Sequence, residues 1–402
     1  MDNINALIKL LGSLLILLFF PLSVSAQDDF EQWLKDFRTV AGQQGIQSAT
    51  WDKAFAGISN LDSRVLEKAS YQPEFTTEIW DYLDGRVNPI AISRGLQMDR
   101  VHDTTLTAVA DKFGVRRSVL LAIWSMESAY GEVLKRPERL HYVPQALATL
   151  AYADPKRKKF GRTQLVAALK ILQAGDVRVD HFSGSWAGAM GHTQFIPTSY
   201  LAYGIDMDGN GKRDIWNSIP DALATAANLL HKNGWRTGKS WGYEVIVPPG
   251  SSRLEGQTKL ISEWQKLGFS RPAGRTFPRP GEKAVLKLLA GDTGPGFLMM
   301  RNFFVLKRYN NADAYALGVG LLADRLAGYP GMVQTWPRPP EALNVKEKIE
   351  LQRLLQKRGY YSGEIDGNPG KGTRAAIAEF QKQMGMTPDG LPTKTVLLKL
   401  RD

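Results

Sequence analysis

A carboxylate at the end of an apolar helix is the feature of this chain best suited to chemistry. Residues 118–126 read SVLLAIWSM, and Glu127 follows directly, ahead of Ser128, Ala129, Tyr130 and Gly131. A helix that is apolar all round is normally buried. Gly131 is a helix C-terminal signal, which puts Glu127 in the last turn. Apolar neighbours and the negative end of the helix dipole both disfavour its charged form and raise its pKa. A carboxylic acid still protonated near neutrality is what a general acid needs. From this segment alone, an ordinary Glu paired with a Lys or Arg is the commoner reading.

The second stretch is SGSWAGAMGHTQFIPTSY, residues 183–200. Small residues surround Trp186 and Met190 and let backbone approach a ligand closely. Ser185 and Gln194 offer hydrogen bonds to a polar substrate. A tight loop packed on the core explains the glycines equally well. Neither His181 nor His192 has a metal-ligand partner at fixed spacing, so both read as structural or surface histidines.

These stretches need a scaffold, and the rest of the chain predicts a mainly helical α+β one. Residues 28–117 read as helices, with Phe30, Trp33, Leu34 and Phe37 at helical spacing. Residues 163–174, 221–232 and 311–326 are helical as well. Residues 241–296 differ: Tyr243 to Val247 is strand-like, and Pro and Gly punctuate residues 248–296, as in short strands and turns. Three prolines within residues 337–340 favour an extended linker. Beyond it, helices are expected at 345–357, 373–383 and 393–400.

With 402 residues, 43% hydrophobic and 23% charged, the chain is long enough for two or three domains and too apolar for wholesale disorder. The absence of cysteine excludes disulfides, thiolate metal sites and thiol catalysis. A net charge of +11 points to an anionic partner. Leu10 to Phe20 is an apolar run after Lys9, and Ser25-Ala26 suits signal-peptidase cleavage before Gln27. The run is short for a membrane span of ~20 residues, although an uncleaved anchor is the alternative. No cysteine follows it, so the protein is expected to be periplasmic or secreted and not lipidated at cysteine. Export demotes nucleic acid as partner, as does the absence of any reader motif.

Together the two stretches resemble the lytic murein transglycosylases of the membrane-bound lytic transglycosylase B family. Glu127, Ser128 and Gly131 match the family's ESxxG pattern. AGAMGHTQFIPTSY from Ala187 to Tyr200 matches too, as does Arg308-Tyr309-Asn310 followed by Tyr315. The resemblance runs from about Phe30 to Pro337. It implies a lysozyme-like catalytic core with a small β part, and cleavage of the MurNAc–GlcNAc β-1,4 bond with formation of 1,6-anhydromuramic ends. Glu127 would be the sole catalytic carboxylate, and the muramyl 6-hydroxyl would attack C1. Ser185, Gln194, Tyr309, Asn310 and Tyr315 would line the glycan groove, joined by Tyr82 from a segment that aligns less well. Ordinary glycosidases use two carboxylates, and these motifs offer no second one. No catalytic cofactor is implied.

Residues 206–217, DMDGNGKRDIWN, read as an EF-hand-like loop. Asp206, Asp208, Asn210 and Asp214 supply oxygens at positions one, three, five and nine. Gly211 fills the sharp turn, and Lys212 gives its carbonyl at position seven. Asn217 replaces the usual bidentate Glu. In the family the loop is longer and closed by a later Asp, a place that Asp221 fits. Asp221 also has capping-box-like spacing from Ser218. A metal-free turn is the alternative for the whole loop. The ligand set suits calcium of modest affinity, or sodium.

Leu351-Gln352 with Leu355, the run Gly359 to Gly367, Gly372-Thr373, and Phe380-Gln381 with Asp389-Gly390 resemble the three-helix peptidoglycan-binding domain. The expected organisation is a signal peptide at 1–26, a lysozyme-like lytic transglycosylase domain at 27–336, a Pro-rich linker at 337–342 and a peptidoglycan-binding domain at 343–402. The expected partner is the peptidoglycan glycan strand, bound by a monomer, with other cell-wall enzymes as further partners. The alternatives are a non-catalytic wall-binding scaffold and a muramidase hydrolase on the same core.

Overall fold

A computed structural model describes residues 26–70 and 78–402. The expected signal peptide, Ala26 apart, lies outside the described residues. The first helical block comprises α1 (Ala26–Gln43), α2 (Ser48–Ala54), α3 (Ser63–Ser70), α4 (Ile79–Asp84), α5 (Pro89–Val101), α6 (Asp103–Phe113) and α7 (Arg117–Ser128). Next come β1 (His141–Tyr142), α8 (Val143–Ala153), α9 (Lys158–Ala174), β2 (Ser183–Gly184), α10 (Pro197–Tyr203) and α11 (Ile219–Lys232). The β part holds β3 (Gly242–Val245), β4 (Thr258–Leu260), α12 (Ile261–Lys266), β5 (Lys283–Lys287) and β6 (Gly296–Met299). The chain returns through α13 (Arg301–Leu306) and α14 (Asp313–Leu326), then ends in α15 (Val345–Lys357), α16 (Lys371–Gln383) and α17 (Lys394–Arg401). The mainly helical α+β class read from the sequence is the one observed.

Local signals set the helix ends. Asn88 caps α5, its side chain accepting from the Ala91 N–H, with Pro89 at the first helical position. Asn344 and Glu347 close a capping box on α15. The strands β3-β6-β5-β4 form an antiparallel sheet in which Tyr243 pairs with Leu298 and Val285 with Met299. The pair β1–β2 is antiparallel too and sits at the entrance to the 183–200 loop.

The main core gathers α7, α8, α9, α11 and α14, with Leu120, Ile123, Trp124, Leu147, Leu169, Leu223 and Leu317 all buried. The β part has its own core around Val245, Trp264, Phe269 and Leu286. A third core, Leu351, Leu355, Ile377, Phe380 and Leu397, serves the last three helices. The junction between the first and last units is more than a tether. Arg338 grips both oxygens of the buried Asp84, each at 2.8 Å. Lys348, from α15, reaches the same carboxylate at 2.8 Å and Asp81 at 2.6 Å. Among the described residues, no helix is long and apolar enough to cross a membrane.

Candidate active site

Helix α7 is buried on every side from Val119 to Met126, so it is fixed within the core. Helix α14 packs along it, and Gly318 makes the approach possible: a Cβ there would meet Met126 Cε at 3.0 Å. The pairing brings Tyr315, one turn earlier on α14, to Glu127 in the last turn of α7. The Tyr315 hydroxyl donates to Glu127 Oε1 at 2.5 Å. Among the described residues Oε1 alone of that carboxylate receives a hydrogen bond.

The end of α7 departs from the expected glycine cap. The first left-handed residue is Ala129 (φ 50°), followed by Tyr130 (φ 61°) and then Gly131 (φ 88°). Two non-glycine residues in that region store backbone strain of about 1–3 kcal/mol each, held by surrounding contacts. The contacts are on hand. Ser128 Oγ donates to the His192 carbonyl at 2.6 Å and accepts from the Gly131 N–H at 2.9 Å. The Tyr130 hydroxyl donates to the Ala91 carbonyl. A side chain at position 131 would run into the His192 ring.

His192 is therefore structural, as its lack of metal partners predicts. Its Nδ1 accepts from Trp124 Nε1 at 3.1 Å, which fixes the neutral ring with the proton on Nε2. Burial pushes its pKa down to about 4, so it stays neutral across the useful pH range. The 183–200 loop folds around this contact. Met190 bridges Gly184 and Phe195, and the Ser185 hydroxyl accepts from the Ala189 N–H at 3.0 Å. Gln194 is left-handed (φ 50°), and its amide donates to the Gly191 carbonyl at 2.8 Å.

Burial raises the pKa of Glu127 to about 7, against the opposing pulls of the Tyr315 hydrogen bond and of Arg86. Tyr309 stacks on Tyr315, with ring centroids 6.2 Å apart, and donates to the Thr193 carbonyl at 2.6 Å. Tyr309 and Tyr315 are both pushed well above the usual tyrosine range, by burial first and then by the Glu127 charge. Tyr82 is raised by burial, with Arg86 pulling it back and Glu127 pushing it up. Glu127, Tyr82, Tyr309 and Tyr315 thus form one cluster, with Gln194 beside the Thr193 carbonyl that anchors Tyr309. Among the described residues neither Ser185 nor Asn310 hydrogen-bonds Glu127: Asn310 is exposed and accepts from the Ala312 N–H at 3.1 Å. Sequence reasoning misses Arg86, because no motif marks it. It is an exposed residue after α4, its guanidinium 5.9 Å from the Tyr82 ring centre.

The acidic loop lies next door. Carboxylate oxygens of Asp206, Asp208 and Asp221 fall within 4.8 Å of one another. Asp221 is also the residue capped by Ser218, and its own oxygens accept from the Met207, Asp208 and Asp214 N–H groups. Asp214 turns instead to the Trp216 and Asn217 N–H groups at 2.9 Å. The Asn210 side chain accepts from the Lys212 N–H. The donors are all hard oxygens, suited to calcium or sodium rather than to a softer metal. The loop's exit braces the 183–200 loop: the Ile215 carbonyl accepts from the His192 N–H, and Trp216 Nε1 donates to the Ser183 carbonyl.

Residues 29–324 match the family described as Transglycosylase SLT domain. Residues 346–400 match a peptidoglycan binding domain. Over 247 residues the chain is 28% identical to membrane-bound lytic murein transglycosylase B of Escherichia coli (strain K12), covering 60% of this chain and 65% of that protein. The chain thus spans slightly less than two thirds of that relative's length. The crystal structure of SltB3 from Pseudomonas aeruginosa, in complex with NAG-anhNAM-pentapeptide, superposes with a TM-score of 0.74. It is 44% identical, with 93% of this chain and 99% of that chain covered. The Escherichia coli lytic transglycosylase Slt35 in complex with calcium shares the fold at 24% identity and a TM-score of 0.60, covering 76% of this chain and 94% of that one.

Proposed function

The chain belongs to the Transglycosylase SLT domain family, and on that premise we propose that it is a peptidoglycan lytic transglycosylase. It cleaves the MurNAc–GlcNAc β-1,4 bond and leaves a 1,6-anhydromuramic end. The observation that carries this reading is Glu127: a buried carboxyl raised to about 7, with Tyr315 on one oxygen and no partner on the other among the described residues.

The reaction needs one group that gives a proton and then takes one. Protonated Glu127 donates through Oε2 to the glycosidic oxygen as the C1–O bond breaks. The resulting carboxylate is held by the Tyr315 hydroxyl and by the field of Arg86. It then removes the proton of the muramyl 6-hydroxyl, whose oxygen bonds to C1. The ring closes, Glu127 is reprotonated, and no water is consumed. A pKa near the working pH suits both halves. Among the described residues the charged side chain that acts on Glu127 is Arg86, a cation, which fits a route without a second carboxylate.

Tyr82, Tyr309 and Gln194 flank the glycan on this reading, with Ser185 and Asn310 at its margins. Residues 27–336 form the catalytic unit, 337–342 the connection and 343–402 the wall-binding unit, acting on peptidoglycan in the periplasm or outside the cell. Asp206, Asp208 and Asp221 hold a cation, calcium before sodium, and three converging carboxylates give the reason. Asn210, Asp214 and the Lys212 carbonyl complete its shell. The ion would stiffen the loop that braces His192 and has no chemical step of its own.

Digestion of purified sacculi with mass analysis of the products tests the activity. Anhydro ends support it. Reducing ends identify a hydrolase, and no release identifies a wall-binding scaffold.

A further inference from the structure

A cavity of about 630 Å³ opens between the first helical block, the β part and the segment after α14. It lies at the far end of α7: Arg116, beside the first turn, lines it, and roughly 16 Å of helix separate that residue from Glu127. The volume is in the range of small-ligand sites.

Its wall is cationic. Arg116, Arg271, Arg275, Arg279 and Arg325 face it, against the carboxylates of Asp84, Glu244 and Asp324. Each carboxylate is already engaged. Asp84 is held by Arg338 and Lys348. Glu244 accepts from the Val333 and Gln334 N–H groups. Asp324 accepts from Trp241 Nε1 at 3.0 Å.

The arginines have few close acidic partners, although the Asp324 charge acts on Arg116 and Arg271 and that of Glu244 on Arg271. Among the described residues only Arg279 of the five comes within 4.0 Å of a carboxylate, that of Glu282 at 3.9 Å. Arg271 and Arg325 donate only to backbone carbonyls, at Thr276 and Tyr329. Arg271 lies over the buried Tyr243 ring, 4.7 Å from its centre. Burial holds this guanidinium below its usual range and Arg275 adds to that by repulsion, against the opposing pulls of Tyr243, Asp324 and Glu244. Five guanidinium groups against three carboxylates, one of which is held by Arg338 and Lys348, leave the wall with an excess of positive charge suited to an anion, and the planar fork favours a carboxylate. The remaining wall is apolar and aromatic, with Trp241, Trp336, Leu321 and Met332.

We infer that this cavity is a second binding site, remote from Glu127, for the C-terminal carboxylate of a short peptide whose apolar side chains rest on the aromatic wall. The inference rests on the proposed function for its biological ligand, a peptide carried by the glycan strand. Such a site would hold the polymer beside the catalytic unit without touching the scissile bond.

The test uses the full chain and two probes, an N-acetylated pentapeptide of alanine with a free C-terminal carboxylate and the same peptide ending in an amide. Titration calorimetry in low salt should show the acid binding and the amide weaker by about tenfold or more, the loss expected when a charge-assisted hydrogen bond is removed. Arg271→Gln and Arg116→Gln, on separate segments, should each weaken the acid several-fold at an unchanged melting temperature, and raised salt should weaken it further. If Arg271→Gln fails to fold, the acid-to-amide ratio of the wild type and the exposed Arg116→Gln variant decide. Equal binding of acid and amide, no binding of the acid at 10 mM (roughly the weak end for such a contact), or folded variants that bind like the wild type would overturn the inference. So would inorganic phosphate competing as well as the peptide, which would leave a general anion site. The probes carry no glycan and the measurement no turnover, so failure here is distinct from failure of the product analysis.

Discussion

Replacing Glu127 by Gln separates the energetic cost of this carboxyl from its use. The folded protein holds its pKa at about 7, against 4.5 for an ordinary glutamate. The folded state therefore keeps its proton to higher pH than the unfolded chain. Between about 4.5 and 7 the native state binds more protons, so stability falls as pH rises through that window. Above it the full cost is present, about 3 kcal/mol at 1.36 kcal/mol per unit. Below pH 4.5 both states are protonated and the cost vanishes.

Gln is neutral at every pH, nearly the shape of the protonated acid, and still accepts from Tyr315 through its amide oxygen. Glu127→Gln should match the wild type in thermal melts at pH 4. At pH 8 it should melt higher by roughly 6 °C, from about 2 °C per kcal/mol for a domain of this size. Turnover on sacculi should fall by about 10²–10⁴-fold or more, since one residue supplies both proton transfers. A melting difference that is the same at both pH values, or larger at pH 4, would refute the burial argument.

Tyr315→Phe removes the hydrogen bond that lowers the Glu127 pKa, so the basic limb of the pH–rate profile should move up by about one unit; an unmoved limb would assign Tyr315 a packing role only. Calcium should raise the melting temperature, by mass action worth ~2.7 kcal/mol at a hundredfold excess over the dissociation constant. Asp206→Ala with Asp208→Ala should erase that response, and a wild type indifferent to both calcium and chelator would make the loop metal-free. Deleting Ala342 to Asp402 should reduce co-sedimentation with sacculi. It also strips Lys348 from Asp84, so the truncated protein should lose about 1–3 kcal/mol of stability; unchanged melting would mean the docking contact contributes nothing.

Legibility in the sequence followed the strength of local signals. Helix α15 could be read because its polar face and its Asn344–Glu347 cap are both local. Helix α8 could not: Val143 to Ala151 is buried on nearly every side, so no amphipathic stripe marks it. The acid was legible from the apolar run before Glu127. Of its electrostatic partners, Tyr315 entered only through the resemblance and Arg86 not at all, because both reach it from elements far apart in the chain. Ser185 and Asn310 entered through the resemblance, and their side chains cap their own turns, at Ala189 and Ala312. The arginine cavity left no trace either, since its members come from the residue before α7, the β part and α14.

The pattern of Glu, Ser and Gly at 127, 128 and 131 has a mechanical reading that the sequence alone does not supply. Glycine at 131 is not the residue that ends α7; Ala129 does that, in a conformation that costs energy. Gly131 is needed because the His192 ring fills the space of its side chain. Ser128 joins the two sides of that contact, giving its proton to the His192 carbonyl and receiving one from Gly131. The three residues therefore staple the end of the acid helix to the 183–200 loop. His192 is held in turn from behind by Ile215, at the exit of the acidic loop. A disturbance of that loop can thus reach Glu127 through two hydrogen bonds and one packed ring. The carboxyl keeps its raised pKa only while this staple and the α14 packing keep it buried.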